Sequence, residues 1–346
     1  MIRLHNYSCN SSGNIFSNPR FDVAKIADTG SERNYVTITP GSEREGLTDI
    51  DPQWVEQLYR THGALLFRGF DLDLRIFAEL TRTYCTHAAF NDSPGRETVD
   101  DKSNIQTVNL GDEAFPLHAE LARVPWRPDV CWFACLTPAE RDGETYLCDG
   151  IEMVRQMSRG LRAALQGRQL LYTQPAQLDA SKFWLRSDQP TVERLRTPPE
   201  DCPYSFEIVE QKPYQSFLRP ALQKAMFSDE LVFSNFLLFA RKYLRNRRFP
   251  LFEDGTEIPD ELVAELDQIG QRLQQPVPWQ QNDVVMLDNT RFMHARDKLP
   301  SPSLRYILTY FGYLKFAVPA PEEGTAPRWR VPHGLDGLYR PEHSIR

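Results

Sequence analysis

The strongest constraint on the fold is that short apolar runs are separated by irregular sequence that is rich in proline. The 346-residue chain has 26 prolines and 18 glycines. Proline has a fixed φ and no backbone N–H, so it suits loops, edge strands and first helical turns but not interior strands. Residues 173–230 hold seven of the prolines, at positions 175, 190, 198, 199, 203, 213 and 220. We expect this stretch to be an excursion from the main sheet, either a cover over a pocket or a plain surface insertion.

Strand-like runs lie on both sides of this excursion. They occupy 64–70, 105–110, 130–136 and the end of 141–150 before it, and 283–288 and 305–314 after it. Strands and helices do not alternate regularly, which disfavours a parallel α/β sheet. The sequence therefore predicts a mainly β fold with helical insertions around a double-stranded β-helix core, the jelly-roll or cupin-like architecture.

Helices are predicted over 51–63, 74–85, 150–167, 229–248 and 259–275. Asp51 followed by Pro52 is typical of a helix start, Gly63 is typical of a helix end, and Asp73 is expected to cap the second helix. We expect a single domain over 1–346, with an N-terminal extension at 1–50, an insertion or lid region at 173–280 and a C-terminal tail at 319–346.

Charge and composition exclude several classes of function. The formal net charge is −7, whereas a nucleic-acid-binding or anionic-membrane-binding protein needs a basic face. The chain has no apolar stretch long enough to span a bilayer and no visible signal peptide. Its six cysteines are then expected to be reduced thiols in a cytoplasmic protein. The oligomeric state is left open.

One short motif contains two candidate metal ligands. The segment FPLHAE (115–120) places His118 and Glu120 two residues apart, which on an extended strand is the same face. The pair alone is weak, but His294 follows the strand at 283–288 and offers a third ligand. Two histidines and one carboxylate leave coordination positions open on iron, as non-haem iron oxygenases require, and they are a poor structural zinc set.

Arg305 opens the apolar strand RYILTYF, eleven residues after His294. A guanidinium is costly to bury without an anion, and it binds a carboxylate through two parallel hydrogen bonds. The alternatives are a structural ion pair and a strand-end arginine that reaches solvent.

Three separated segments, in order, resemble one known family. They are FPLHAE, then WRPDVCWFACLTPAERDGETYLCDG, then NDVVMLDNTRFMHARD with SLRYILTYFG, and ALLFRGFDL at 64–72 adds a fourth similarity. Together they resemble the taurine dioxygenase and clavaminate synthase-like family of iron(II)/2-oxoglutarate-dependent oxygenases, over about 50–315.

The resemblance implies a role for five residues. His118, Glu120 and His294 match the iron ligands, and Thr145 and Arg305 match the pair that binds the distal carboxylate of 2-oxoglutarate. It implies iron(II) as cofactor, 2-oxoglutarate and O₂ as cosubstrates, and release of succinate and CO₂. The expected reaction is hydroxylation of an unactivated C–H bond of a small polar molecule. The expected substrate is an amino acid, free or carrier-bound, or a natural-product intermediate. Desaturation and cyclisation by the same chemistry stay open.

Two details narrow the resemblance. Glu120 stands where many relatives have Asp. A glutamate at this position resembles the clavaminate synthase side of the family, which includes amino-acid hydroxylases. It also argues against halogenation. Residues 306–309 contain no positive charge, whereas sulfonate-oxidising members have a second basic residue there, so a taurine-like sulfonate is not expected.

Weaker signals have alternative interpretations. Asn109 and Arg123 are candidate substrate contacts, or else a strand-end asparagine and a solvated loop arginine. The basic run 241–248 is either a helix C-terminus or a docking surface for an acidic carrier domain. The rival functions are a non-catalytic jelly-roll ligand-binding protein, for which the whole set of residues would be unnecessary, and a metal hydrolase, which leaves Arg305 unexplained.

Overall fold

Strands dominate the computed structural model, which describes residues 24–27, 33–299, 305–324 and 326–338. Residues 1–23 and 28–32 of the predicted N-terminal extension and 339–346 of the predicted tail lie outside this part of the chain. The strands are β1 Ala24–Ile26, β2 Val36–Pro40, β3 Ala64–Phe67, β4 Cys85–Ala88, β5 Thr98–Asp100, β6 Ile105–Thr107, β7 Phe115–His118, β8 Val130–Thr137, β9 Thr145–Asp149, β10 Gln169–Pro175, β11 Ser205–Val209, β12 Lys212–Pro220, β13 Gln223–Lys224, β14 Leu231–Val232, β15 Leu251–Phe252, β16 Gln275–Val277, β17 Val284–Asp288, β18 Phe292–Arg296 and β19 Tyr306–Leu314.

Eight α-helices connect the strands in the described part of the chain. They are α1 Pro52–His62, α2 Leu74–Tyr84, α3 Gly150–Arg155, α4 Arg159–Leu165, α5 Leu178–Leu185, α6 Val192–Arg196, α7 Leu237–Lys242 and α8 Asp260–Leu273, with short 3₁₀ helices at Leu47–Asp49, Pro321–Glu323 and Arg328–Arg330. Within the described residues, no helix is long and apolar enough to cross a membrane.

Two facing sheets form the predicted jelly roll. The larger runs β1-β2-β3-β17-β8-β19-β6-β5, with β4 also paired to β19, and the smaller runs β16-β9-β18-β7. The pair β2–β3 is parallel, and the other described pairs in these two sheets are antiparallel. The mainly β prediction with helical insertions is confirmed. The predicted extension at 1–50 supplies β1 and β2, so its described part belongs to the larger sheet.

The larger sheet is buried on both faces, which explains its continuous apolar strands. Along β8, Cys131, Phe133 and Cys135 face the cluster between the two sheets. Trp132 and Ala134 face a second cluster, which includes side chains of α1 and α2. Burial of successive residues on opposite faces removes the usual alternation of polar and apolar positions.

Two predicted helices are wrong in extent. The segment 150–167 forms two helices, α3 and α4. Ser158 lies between them and starts α4, because its side chain accepts a hydrogen bond from the Leu161 N–H. Within 229–248 only α7 is helical. There, Ser234 donates to the carbonyls of Asn289 and Phe292, and Asn235 accepts from the Leu237 N–H. The local Asn235 bond competes with a continuous helix, and the Ser234 bonds tie this segment to residues 289–292.

The proline-rich excursion has a sheet of its own. The order β11-β12-β10-β15 is separate from both jelly-roll sheets, as the prolines predicted. The excursion is packed rather than loosely attached, because Tyr172, Trp184 and Phe217 are buried and belong to the same cluster as the interior of the jelly roll.

The C-terminal tail is held down by a buried ion pair. Arg330 contacts Asp129, at the start of β8, through two nitrogens at 2.8 and 2.9 Å, and it also bonds Glu323 at 2.7 Å. The Asp129 side chain is only 1% exposed. The tail therefore packs against the larger sheet as a strap.

We expect Arg330→Met to lower the free energy of unfolding by about 3–5 kcal/mol, because it leaves the buried Asp129 carboxylate without its cation. Denaturant unfolding followed by circular dichroism measures this change. The matched control is Arg328→Met, on the same 3₁₀ turn, which loses contacts with the rings of Phe183 and Trp184, each worth about 0.5–1 kcal/mol, but leaves no buried charge unpaired. Equal losses in the two variants would contradict the proposed role of the ion pair.

Candidate metal centre and active site

Three buried side chains converge at one end of the smaller sheet. His118, Glu120 and His294 each offer a ligand atom, and these atoms lie within 4.8 Å of one another. The two histidines are direct partners in the antiparallel pair β7–β18, and their ring centroids are 4.4 Å apart. The structure thus brings together all three residues that the sequence predicted as metal ligands.

The position of Glu120 differs from the prediction. Strand β7 ends at His118, so Glu120 lies in the following turn and does not share a strand face with it. The Asn289 side chain holds this turn: it accepts from the Glu120 N–H at 2.7 Å and donates to the carbonyls of Glu120 and Pro128, both at 2.9 Å. As a result the carboxylate still turns toward His294, with 3.9 Å between Oε2 and Nε2.

Both imidazoles suit metal ligation. His118 donates its Nδ1–H to the Pro116 carbonyl at 2.8 Å, which leaves Nε2 as the ligand atom of the neutral ring. Burial lowers the pKa of His118, although Glu120 opposes that shift. Burial also holds the pKa of His294 well below its usual value, helped by His118 and Arg96. The rings are therefore neutral at physiological pH, as metal ligands must be.

The donor set fits a ferrous ion. His294 is buried, and its Nδ1 has no hydrogen-bond partner among the described residues. The buried ring is therefore not fully compensated for its desolvation by hydrogen bonds within the described chain. Two imidazoles and one carboxylate are the facial set that leaves positions open for a chelating cosubstrate and O₂.

A buried arginine contacts β9, the strand that pairs with β18 in the smaller sheet. Arg305 is 8% exposed, its Nη2 donates to Thr145 Oγ1 at 3.5 Å, and its Nε has no partner among the described residues. Thr145 also accepts from Trp279 Nε1 at 3.1 Å. Burial, and then the charge of Arg296, lowers the pKa of Arg305 to about 10, so it keeps its charge at neutral pH. A buried cation with a free donor fits a carboxylate.

Arg96 is a site residue that the sequence analysis missed. Its Nη2 donates to Glu120 Oε2 at 3.0 Å, with only 11% of the Arg96 side chain exposed, and its guanidinium lies 5.0 Å from the centre of the Phe311 ring. No motif marks it, because it comes from the loop before β5 and meets Glu120 only through the fold.

The two weaker substrate candidates, Asn109 and Arg123, have different surroundings in the structure. Asn109 uses its side chain locally, donating to the Pro94 carbonyl at 3.2 Å and accepting from the Gly111 N–H at 2.9 Å. Arg123 is half-buried, with its guanidinium 5.8 Å from the Phe236 ring and its Nη2 3.5 Å from Ser93 Oγ. No described carboxylate lies within 4 Å of Arg123.

Apolar rings enclose the triad. Phe239 and Phe236 lie 4.8 and 6.4 Å from His118, and Phe133 lies 5.2 Å from His294, between ring centroids. A separate cavity of about 440 Å³ lies between Phe311 and the tail at Trp329 and Val331, and none of the three triad residues lines it. An aromatic surround with few polar groups is typical of a small-molecule site.

The basic run 241–248 is largely paired within the chain. Arg241 and Arg247 contact Asp260, and Lys242 contacts Asp267. These partners all lie on α8. The run is therefore mainly an inter-helix contact, and the docking surface predicted as its alternative loses most of its free charge.

Comparisons with known proteins agree with this geometry. The sequence model of one family, described as "Taurine catabolism dioxygenase TauD, TfdA family", matches residues 35–309. No curated protein matches the sequence.

Solved structures of similar fold include PvcB from Pseudomonas aeruginosa, with a TM-score of 0.57, 14% identity, and coverage of 90% of this chain and 98% of that one. A second structure of PvcB describes it as an "Fe, alpha-ketoglutarate dependent oxygenase from an isonitrile synthetic pathway". A taurine dioxygenase from Burkholderia xenovorans has a TM-score of 0.54, 13% identity, and coverage of 83% of this chain and 89% of that one. These likenesses show the jelly-roll fold. The family match over most of the sequence shows that the chain belongs to the TauD/TfdA family of iron- and 2-oxoglutarate-dependent dioxygenases.

Proposed function

We propose that this enzyme hydroxylates an unactivated C–H bond of a small amino acid or related natural-product intermediate that carries a free carboxylate. The observation that carries the proposal is the convergence of His118, Glu120 and His294, with two buried or half-buried arginines, Arg305 and Arg123, that have no described carboxylate within 4 Å. The triad provides the metal site, and each arginine is available for an anion.

The triad residues would hold iron(II), which supplies the oxidising chemistry together with O₂ and 2-oxoglutarate. Overall, one oxygen atom of O₂ enters succinate and the other enters the substrate C–H bond, with loss of CO₂. The short β7–β18 pairing and the Asn289 clamp pre-position the three ligands. Pre-positioned ligands spare the protein a reorganisation cost when the metal binds.

Arg305 and Thr145 would bind the distal carboxylate of 2-oxoglutarate. A guanidinium offers two parallel donors in the plane of a carboxylate, and burial strengthens that contact. The aromatic surround of the triad, with Phe133, Phe236 and Phe239, excludes water and so protects the reaction from side reactions with solvent.

Arg123 would bind the substrate carboxylate. Its guanidinium approaches Phe236, whose ring lies 6.4 Å from His118, and its charge lowers the pKa of His118. Both observations support a position of Arg123 near the triad. Residues 306–309 contain no positive charge, so the strand after Arg305 offers no cation for a sulfonate.

A carrier-bound substrate is the alternative that the geometry favours less. An amino acid on a carrier has a thioester in place of its carboxylate and would leave Arg123 without an anion. In addition, the basic run 241–248, the candidate docking surface for an acidic carrier, is mostly paired with α8.

The first prediction concerns the triad. We expect wild-type protein, loaded anaerobically with Fe(II) and 2-oxoglutarate, to show the weak visible absorption band of an iron-chelated 2-oxo acid. His294→Ala should lose this band and all substrate-coupled succinate release, because one of three metal ligands is gone. His62→Ala, at a half-buried histidine outside the triad, is the matched control and should behave as wild type. Normal turnover by His294→Ala would refute the ligand assignment.

The second prediction concerns the cosubstrate. We expect Arg305→Gln to raise the dissociation constant of 2-oxoglutarate by about 10- to 150-fold, since a hydrogen bond to a charged group contributes roughly 1.5–3 kcal/mol. Anaerobic titration of the absorption band measures it. Iron binding, assayed with Mn(II), should not weaken. An unchanged 2-oxoglutarate affinity would move the cosubstrate carboxylate to another residue.

The third prediction concerns the substrate. A screen of free amino acids, their amides and carrier-bound forms, followed by succinate release, should favour the free acids. Arg123→Gln should then raise KM for the best acid by about tenfold or more and leave KM for its amide unchanged. Preference for the carrier-bound form, with no effect of Arg123→Gln, would show that the substrate is presented by a carrier.

A further inference from the structure

We propose that Arg96 is a positioning residue for the metal, whose charge on the Glu120 carboxylate favours the ferrous over the ferric state. The inference rests on the metal site of the proposed function, and it adds a role for a residue outside the ligand set.

The contact is direct and buried. Arg96 Nη2 lies 3.0 Å from Glu120 Oε2, and the exposed fractions of the two side chains are 11% and 6%. This oxygen is also the one that lies 3.9 Å from His294 Nε2. A carboxylate oxygen has two lone pairs, so the same atom can accept from Arg96 and still ligate a metal. The hydrogen bond draws electron density from the ligand, which reduces its donation to the ion.

Arg96 is held in place by the backbone around it. The Glu97 N–H donates to Thr107 Oγ1 at 2.9 Å, and the Thr107 N–H donates to the Glu97 carbonyl at 2.8 Å. Arg96 itself donates from Nη1 to the Thr107 carbonyl at 3.4 Å. The guanidinium therefore cannot easily leave Glu120, because its own loop is paired to β6.

Gly95 and Asn109 complete this support. Gly95 has a φ of +76°, and a side chain there would meet Asn109 Nδ2 at 2.3 Å. The Asn109 amide bonds the Pro94 carbonyl, and the Leu110 N–H donates to the Gly95 carbonyl at 2.9 Å. Asn109, a substrate candidate from the sequence, thus acts in the structure by fixing the loop that carries Arg96.

The charge of Arg96 also reaches the other two ligands. The three ligand atoms lie within 4.8 Å of one another, so the positive charge beside Glu120 Oε2 acts on all three donors. A fixed positive charge penalises an ion of charge +3 more than one of charge +2 in a low-dielectric site. Removal of Arg96 should therefore make the ferric state more favourable.

The test is a redox titration of the iron-loaded protein without substrate. In Arg96→Met, we expect the ratio of ferric to ferrous iron at a fixed potential to rise about tenfold, which corresponds to a shift of 59 mV for one electron. Arg96→Lys keeps the charge and should stay within threefold of wild type. Arg96→Gln also removes the charge and replaces the Met variant if that protein does not fold, as judged by circular dichroism.

Arg123→Met is the matched control, since it removes a nearby cation that does not contact a ligand. It should shift the ratio by less than Arg96→Met does. A ratio in Arg96→Met within threefold of wild type, or an equal shift in the Met and Lys variants, would overturn the role of the charge. Failure of the wild-type protein to bind iron at all would instead refute the proposed function, so the two outcomes are distinct.

Discussion

The pairing of β7 with β18 is the interaction on which the site depends. It sets His118 directly opposite His294 in register, and a shift by one residue would turn one imidazole to the other face of the sheet. The third ligand is added from outside the sheet by the Asn289 side chain, which holds the turn after β7 through three hydrogen bonds. The jelly roll supplies a rigid pair of ligands, and one buried amide supplies the rest of the geometry.

Positive charge is distributed around this centre in an ordered way. Arg96 contacts a ligand, Arg305 is paired only with a threonine hydroxyl among the described residues, and Arg123 lies against an aromatic ring at the rim. Burying a cation costs free energy unless an anion or a hydrogen-bond acceptor compensates it. One arginine here is compensated within the chain, and the other two are suited to anions that bind from outside. In the proposed function and the inference drawn from it, Arg96 serves the metal ligand, Arg305 the cosubstrate and Arg123 the substrate.

The sequence predicted the architecture well where patterns are local. The caps Asp51 and Asp73 and the stop at Gly63 lie where the helices begin and end, and the apolar runs at 130–136, 283–288 and 305–314 are strands. It failed at 150–167, where Ser158 caps a second helix, and at 229–248, where Asn235 bonds the nearby Leu237 N–H and Ser234 bonds carbonyls that are close only in the folded chain. It also placed Glu120 on a strand that in fact ends two residues earlier.

The sequence by itself determined which residues are candidates for the chemistry: a histidine and a carboxylate two apart, a second histidine, and an arginine at the start of an apolar strand. Residue type sets ligand chemistry and charge, and these do not depend on the fold. Only the tertiary structure decided the partners. Arg96 meets Glu120 across 24 positions and Asn289 meets it across 169, and Asn109 bonds the Pro94 carbonyl of the loop that carries Arg96. Contacts between residues so far apart arise from sheet register and loop packing, and no local pattern in the sequence records them.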